Sequence, residues 1–308
     1  MSDSRPLVSI VTPSFNQAPF LEQTILSVLN QTYPRIEYLV LDGGSTDASP
    51  SIIERHAARL AYWHSRRDRG CSDAIREGFQ RSTGEILAYL NSDDVLFEDA
   101  VERAVAALTR NQDAVMVYGN RVCIDGDGRL LYSRPNPPWW SRGPFIGMTI
   151  GQESAFWRRG AYEKAGGVNA EFQFAFDYDL FSRIGRLGSV THDGRIWSCF
   201  RKHSTSKTTT QYQTVGKREI RRVQDSVWGR PPNRLAWLSV LAMSHLYTVA
   251  VTPFVRRPPW PRCLPSIPQP GAWKTFTALL REESLVSQAM RSRAARRALA
   301  SEQRAVHR

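Results

Sequence analysis

Ile86-Leu87-Ala88-Tyr89-Leu90-Asn91-Ser92-Asp93-Asp94 is an apolar run that ends in two adjacent carboxylates. A short apolar stretch of this kind reads as a buried strand. Its acids then stand at the carboxyl edge of a sheet, where open α/β sheets bind ligands. Neighbouring carboxylates repel unless a cation lies beside them, and an oxygen-rich site suits Mg²⁺ or Mn²⁺, which bridge substrate phosphates. The same residues could also form a solvated turn that caps a helix over 97–108, so the surrounding stretches must decide.

Upstream, Leu7-Val8-Ser9-Ile10-Val11 is a second strand-like run, ending in Thr12-Pro13-Ser14-Phe15-Asn16. Leu21, Ile25, Val28 and Leu29 follow at helical spacing. A third run over 36–41 stops at Asp42-Gly43-Gly44-Ser45-Thr46-Asp47. Strands that alternate with helices predict parallel βαβ units and an α/β fold with a doubly wound sheet. The polar strand ends then share one edge, which brings Asp42, Asp93 and Asp94 together from distant parts of the chain.

Further blocks continue in order: Leu26-Ser27-Val28-Leu29-Asn30-Gln31-Thr32-Tyr33-Pro34, Asp68-Arg69-Gly70-Cys71-Ser72-Asp73-Ala74, Thr83-Gly84-Glu85 and Phe176-Asp177-Tyr178-Asp179-Leu180. With the strand ends above, this series resembles an inverting family 2 glycosyltransferase over residues 6–210. The resemblance implies a GT-A fold, a Rossmann-like doubly wound mixed sheet, and a nucleoside diphosphate sugar as donor, with UDP favoured. It also implies an Mn²⁺ or Mg²⁺ cofactor, with Asp94 as metal ligand and Asp93 facing the ribose or the metal's waters. Asp42 would contact the nucleoside, although Gly43 stands where relatives often carry a second acid. Thr12, Pro13 and Ser14 would line the nucleoside pocket, or serve only as turn residues.

Gly70 permits close approach of backbone to a ligand. Asp73 either contacts the nucleoside or stabilises the first turn of its helix; Arg76, where relatives carry Asn, receives no role. Asp177 is the expected general base. It precedes an apolar stripe of Leu180, Phe181, Ile184 and Leu187, so a helix dipole would hold it as an anion while apolar neighbours raise its basicity. The alternative for Asp177 or Asp179 is an N-cap. Gln152 and Glu153 would touch sugar hydroxyls, with Trp157 beside them or in the core. Within Trp197-Ser198-Cys199-Phe200-Arg201-Lys202-His203, Arg201 is expected on the diphosphate, since its fork matches phosphate oxygens, and His203 as a further metal ligand or a structural residue.

Of 308 residues, 42% are hydrophobic and 23% charged, a globular balance that excludes a disordered chain. Cys71, Cys123, Cys199 and Cys263 lack metal-ligand or disulfide spacing, which suits a reducing compartment. Met1-Ser2-Asp3-Ser4-Arg5 leads to the first strand within a few residues, and no signal peptide is expected there. A net charge of +12 calls for an anionic surface or substrate. No nucleic-acid reader motif is present, so nucleic acid is not expected as a partner.

The expected organisation is a GT-A catalytic domain over 1–225 and a helical, basic extension over 226–308. Residues 235–255 carry no formal charge except on His245 and are long enough to span a bilayer. Ser244, His245, Thr248 and Thr252 nevertheless share one face, and arginines flank both ends. A helix lying in the interface is therefore preferred over a buried or a spanning one. A proline-rich linker over 258–270 and an arginine-rich end follow. Together these predict a cytoplasmic enzyme on the inner face of the cytoplasmic membrane, in peripheral contact with anionic lipid. It would act on a glycan or polyprenol-linked acceptor in surface polysaccharide assembly, as a hexosyl- or N-acetylhexosaminyltransferase. Residues 121–149, with Trp139-Trp140, would form an acceptor-side loop.

Two other functions compete. A nucleotidyl- or phosphoryl-transferase could use the same paired acids, but a GxxxxGK[ST] loop is absent. A non-catalytic nucleotide-sugar-binding protein would not need Asp42, Asp93, Asp94 and Asp177 in this order.

Overall fold

Every residue of Val8–Ser14 (β1) is buried, as expected of a strand covered on both faces. The structure is a computed structural model that describes residues 5–134 and 150–229, with single helical positions between 235 and 250. On one side β1 pairs in parallel with Ile36–Asp42 (β2), which pairs with Tyr62–Ser65 (β3). On the other side it pairs in parallel with Ile86–Tyr89 (β4). Three helices connect these strands: Ala18–Leu29 (α1), Ser49–His56 (α2) and Cys71–Arg81 (α3). The parallel βαβ half expected from the alternating pattern is therefore present.

Beyond β4 the sheet changes direction. Ala155–Arg158 (β8) lies antiparallel between β4 and Ala114–Ile124 (β6). β6 then pairs in parallel with Ser189–Arg201 (β9), and Val95–Leu96 (β5) closes the edge against β9. With Leu130–Arg134 (β7) on β6 this makes one mixed sheet of nine strands among the described residues. Purely parallel βαβ units are thus limited to the first half. Further helices are Ala100–Arg110 (α4), Arg159–Lys164 (α5), Phe176–Gly185 (α6) and Lys217–Trp228 (α7), with a short helical turn at Lys207–Thr210.

Strand alternation divides the core into two layers. Val11, Leu39, Leu41, Leu87 and Tyr89 pack with Ile75, Phe79, Trp157 and Phe181. Their neighbours Val8, Ile10, Tyr38, Val40, Ile86 and Ala88 pack on the other face with Ile25, Ile53, Val101 and Trp197. Glycines let layers approach closely: a Cβ at Gly119 would lie 2.3 Å from the Trp197 ring, and one at Gly84 2.7 Å from the Ser9 backbone nitrogen.

Three boundaries depart from expectation. The helix after the acid pair starts at Ala100 rather than 97, because Val95–Leu96 is captured as a strand by β9. Residues 121–124 and 130–134 are not loop but the paired strands β6 and β7; Trp139-Trp140 lie outside the described residues. The division at 225/226 falls inside α7, which packs on α6 and ends only at Gly229, a left-handed C-cap with φ 73°. Of the segment 235–255, Leu235, Leu238, Met243 and Leu246 are exposed helical positions. The linker over 258–270 and the basic end lie outside the described residues. Among the described residues no helix is long and apolar enough to cross a membrane.

Candidate active site

Because β1, β2 and β4 are parallel, Ser14, Asp42 and Asn91–Asp94 leave the sheet on one edge. Asp68, Asp93 and Asp177 all face the Cys71 thiol at the head of α3, and burial there raises the thiol's pKa. The expected placement of Asp42, Asp93 and Asp94 at one sheet edge is therefore found, with surroundings that differ residue by residue.

Asp42, expected on the nucleoside, is turned inward. Its Oδ2 accepts the N–H groups of Gly44 at 3.1 Å and Ser45 at 2.8 Å and the Ser65 hydroxyl at 2.7 Å, while Oδ1 accepts the Ser45 hydroxyl at 2.5 Å. The turn supplies three of these bonds and Ser65 of β3 the fourth, and three of the four fall on Oδ2. Asp42 pins the Gly-rich loop. The Asp68 carboxylate lies against Gly43, so that a Cβ at 43 would stand 3.0 Å from its Oδ2. It also accepts the Gly70 N–H at 2.8 Å. Asp68 thus occupies the space into which an acid beside Asp42 would project.

Thr12 and Pro13 are buried within β1, and the Thr12 hydroxyl pairs with Tyr38 at 2.9 Å. Ser14 Oγ is buried without a protein partner. Next to it Phe15 exposes 60% of its surface at the strand end, an aromatic face that sequence reading passed over. Gly70, with φ 119°, caps α3 with open space around it. Asp73 is not free for a nucleoside: Arg69 at 2.8 Å and Arg76 at 2.7 Å hold its carboxylate, and the Arg69 hydrogen bond leads in depressing its pKa. That pairing also supplies the role left open for Arg76.

Asp94 is buried. Oδ1 accepts the Arg201 backbone N–H at 2.9 Å, but Oδ2 has no partner. Burial, with Asp93 and Glu153 adding repulsion, drives its pKa well above the carboxylate range. A bound cation would relieve such a group. His203 Nε2 lies 2.9 Å from Asp93 Oδ2, and its Nδ1 lies 2.8 Å from the Thr205 hydroxyl. His203 therefore meets the acid pair through Asp93 rather than Asp94. Among the described residues no group of three His, Cys, Asp or Glu side chains forms a metal cage. The donor set fits an Mg²⁺-type ion held by one or two carboxylates and completed by substrate phosphates.

Arg201, expected on the diphosphate, has another task. Its guanidinium is buried and donates to the backbone oxygens of Asp93 at 2.8 Å and of Asp125 and Gly126 at 3.3 Å, and to Gln23 Oε1 at 2.7 Å. It also stacks 5.0 Å from the Phe20 ring centre. Its donors hold the acid loop in place and are not open to a ligand. Lys207, which sequence reading missed, is exposed, lies 6.0 Å over the Phe176 ring and acts on Cys71 with a sign opposite to that of the acids.

Asp177 stands in the first turn of α6 and accepts the Tyr178 N–H at 2.7 Å. Ala175 takes the N-cap position, so neither Asp177 nor Asp179 caps the helix. Burial pushes the Asp177 carboxyl up to about 6. Asp179 is buried and bonded to Arg183, a structural pair. The helix mouth is held from α7, where Glu219 accepts the N–H groups of Gln173, Phe174 and Ala175 at 2.8–3.1 Å. Trp157 is core, and Leu187 at the end of the apolar stripe is exposed. Gln152 bonds Tyr89 O and Asn91, and Glu153 pairs with Arg121, so both serve the scaffold of the site.

A mixed sheet of this topology with paired acids at the carboxyl edge defines a GT-A glycosyltransferase fold. Residues 9–158 of this chain match the model of glycosyl transferase family 2. The chain is 28% identical over 193 residues to a chondroitin synthase of Escherichia coli, a match that covers 62% of this chain and 28% of that protein. With an uncharacterized glycosyltransferase of Rickettsia typhi it shares 26% over 213 residues, 67% of each chain. Among solved structures, Staphylococcus aureus TarS 1-349 in complex with UDP-GlcNAc superposes with a TM-score of 0.61 at 15% identity, covering 72% of this chain and 65% of that one. A mannosyltransferase of Pyrobaculum calidifontis in complex with GDP-Man and Mn²⁺ superposes with a TM-score of 0.57 at 19% identity, covering 96% and 81%. The structural likenesses concern the fold.

Proposed function

We propose that this chain transfers a sugar from a nucleoside diphosphate sugar, with UDP favoured, to a hydroxyl of a glycan or lipid-linked acceptor, with inversion at the anomeric carbon. The observation that carries this reading is Asp177, a carboxylate with its pKa near neutrality that faces the same thiol as Asp68 and Asp93. Asp177 takes the proton of the acceptor hydroxyl as that oxygen bonds to the anomeric carbon, and the bond to the diphosphate breaks on the opposite face. Phe15 and Ser14 form the nucleoside side of the site together with Asp68. Lys207 faces the leaving diphosphate. Asp94, with Asp93 and His203 beside it, would hold Mn²⁺ or Mg²⁺, which supplies Lewis-acid neutralisation of that leaving group.

The similarity to a chondroitin synthase supports polysaccharide assembly as the setting. Peripheral membrane contact is supported by the exposed Lys217, Arg218, Arg221 and Arg222 on α7, followed by exposed Leu235, Leu238, Met243 and Leu246. The catalytic region and the extension from about residue 230 onward would then be two units, the second docking the first to the inner face of the cytoplasmic membrane.

The decisive experiment replaces the base. Asp177→Asn keeps size but cannot accept a proton, so single-turnover transfer should fall at least about a hundredfold with donor affinity intact. In the wild type, protonation below about pH 6 removes the base, so transfer should rise with pH through that value. Wild-type transfer by Asp177→Asn would move the base elsewhere.

A further inference from the structure

A cavity of about 740 Å³ opens between α3, the loop over 166–171, α6 and α7, a volume ordinary for a small-molecule site. Asp73 and Asp179 border it, whereas Ser14, Phe15, Asp93, Asp94 and Asp177 do not. Helix geometry explains the separation. Residues two apart stand roughly 200° from each other round a helix, so α6 turns Asp179 into the cavity and Asp177 away from it. One wall is firmly built. Arg183 of α6 bonds Asp179 and the backbone oxygens of Ala165 and Gly167, the latter at 2.8 Å. Gly166 and Gly167 take the left-handed φ values, 81° and 70°, that wrap the loop round this guanidinium.

At the opposite wall the charges do not balance. Asp73 Oδ1 accepts Arg69 Nη2 at 2.8 Å and Arg76 Nη2 at 2.7 Å, and Arg69 Nε reaches Oδ2 at 3.2 Å. One guanidinium fork already satisfies one carboxylate. A second cation on the same oxygen repels the first, a cost that another anion between them would remove. Neither arginine has a further hydrogen-bond partner among the described residues, and Arg76 Nε is buried with none. Glu171 does not cancel the excess, because it is paired with Arg222. The rest of the lining suits a hydroxyl-rich ligand. Asn169 spends Oδ1 on the Glu171 N–H at 3.0 Å and keeps its NH₂ donors, while Val168 and Val227 supply apolar surface for C–H faces.

We propose that this cavity is a second ligand site, for a saccharide that carries a carboxylate or a phosphate. The anionic group lies between Arg69 and Arg76, sharing them with Asp73, and the sugar hydroxyls face Asn169 and Glu171. Guanidinium forks match carboxylate and phosphate oxygens, and a net charge of +12 favours the approach of such a ligand. The site is independent of the assignment of Asp177 as base, since neither Asp177 nor the acid pair borders it.

Calorimetry on the full chain in the presence of saturating UDP and Mn²⁺ tests this, with a glucuronate-containing disaccharide and glucose 1-phosphate as anionic probes. At least one of them should bind, and the tighter one names the anionic group. Maltose and inorganic phosphate should each bind at least about tenfold more weakly, since each makes only part of the contacts. Arg69→Gln removes one cation and should weaken the anionic probe by about tenfold, whereas Asp73→Asn removes the internal competitor and should tighten it. Should Asp73→Asn fail to fold, Arg69→Gln decides alone, because the Arg69 side chain is 75% exposed. Absence of binding by both anionic probes would overturn the proposal, as would unchanged affinity in Arg69→Gln. Inorganic phosphate binding as tightly as the sugar probes would refute the saccharide. A probe that binds without UDP and is displaced by it lies at the donor side, and the second site then falls. None of these readouts involves transfer, so failure of Asp177 as base would leave them unmoved.

Discussion

Arg201 illustrates how residue type can mislead at a site. A guanidinium near a diphosphate site suggests phosphate binding, yet its donors are spent on the backbone of Asp93, Asp125 and Gly126 and on Gln23. Arg201→Met should therefore act on stability. Several buried acceptors lose their partners, and unfolding should become easier by about 2–4 kcal/mol. Denaturant melts check this; weakened nucleotide affinity at wild-type stability would return Arg201 to the phosphate. Asp94 leads to the opposite expectation. Its Oδ2 is buried without a partner and its pKa is raised by burial, so Asp94→Asn relieves a strained charge. The variant should be at least as stable as wild type near neutral pH, and it should lose any Mn²⁺-dependent gain in UDP affinity. Titration calorimetry with and without Mn²⁺ decides; a retained metal effect would remove Asp94 as ligand.

At the scale of elements, the mouth of α6 depends on a residue of α7. Its own sequence supplies no cap, since Ala175 stands at the N-cap and the preceding N–H groups turn to Glu219. Nothing local in Phe172-Gln173-Phe174-Ala175 signals this, because the partner lies more than forty residues on. Glu219→Gln keeps one acceptor and loses the charge. We expect a loss of roughly 1–2 kcal/mol, together with a fall in transfer larger than any change in donor binding, because Asp177 sits one turn from the released backbone. Melting and single-turnover transfer measured on the same variant check this; unchanged transfer would show that the mouth of α6 is held by its other contacts. The strand β5 is a similar case: Val95-Leu96 follows the acids too closely to read as an element, and only its pairing with Cys199 and Ser198 makes it one.

For the whole molecule, charge and exposure are distributed unevenly. The described region up to residue 229 buries most of its apolar residues in three clusters, with Phe15, Leu131, Tyr132 and Leu187 exposed, and the positions described beyond residue 230 expose Leu235, Leu238, Met243 and Leu246 behind a basic helix face. Removal of residues 235–308 should release the protein from vesicles that contain anionic lipid and leave donor binding unchanged. Co-sedimentation of the truncated and full chains with such vesicles, at low and moderate salt, reads this directly. Equal partition of the two would sink the docking reading.

Pattern in the chain was enough for the parallel half of the sheet, for α1 and α3, and for bringing Asp42 and the Asp93–Asp94 pair to one edge, because strand and helix periods are local and chain order places their ends there. The family blocks were equally legible, since each is a short contiguous string. What a carboxylate or guanidinium does once it arrives was not legible. Asp42 and Asp68 both reach the Gly-rich loop, but the turn at 44–45 and Ser65 bind the Asp42 carboxylate, whereas Asp68 stays half-exposed beside Gly43. Arg201 and Lys207 lie in one segment, yet only Lys207 is open to solvent. The antiparallel turn of the sheet through β8, the latch of Gln152 on Tyr89 and the grip of Glu219 on α6 join residues dozens of positions apart. Those assignments depend on which donors and acceptors remain unpaired after packing, and that quantity exists only once the chain has folded.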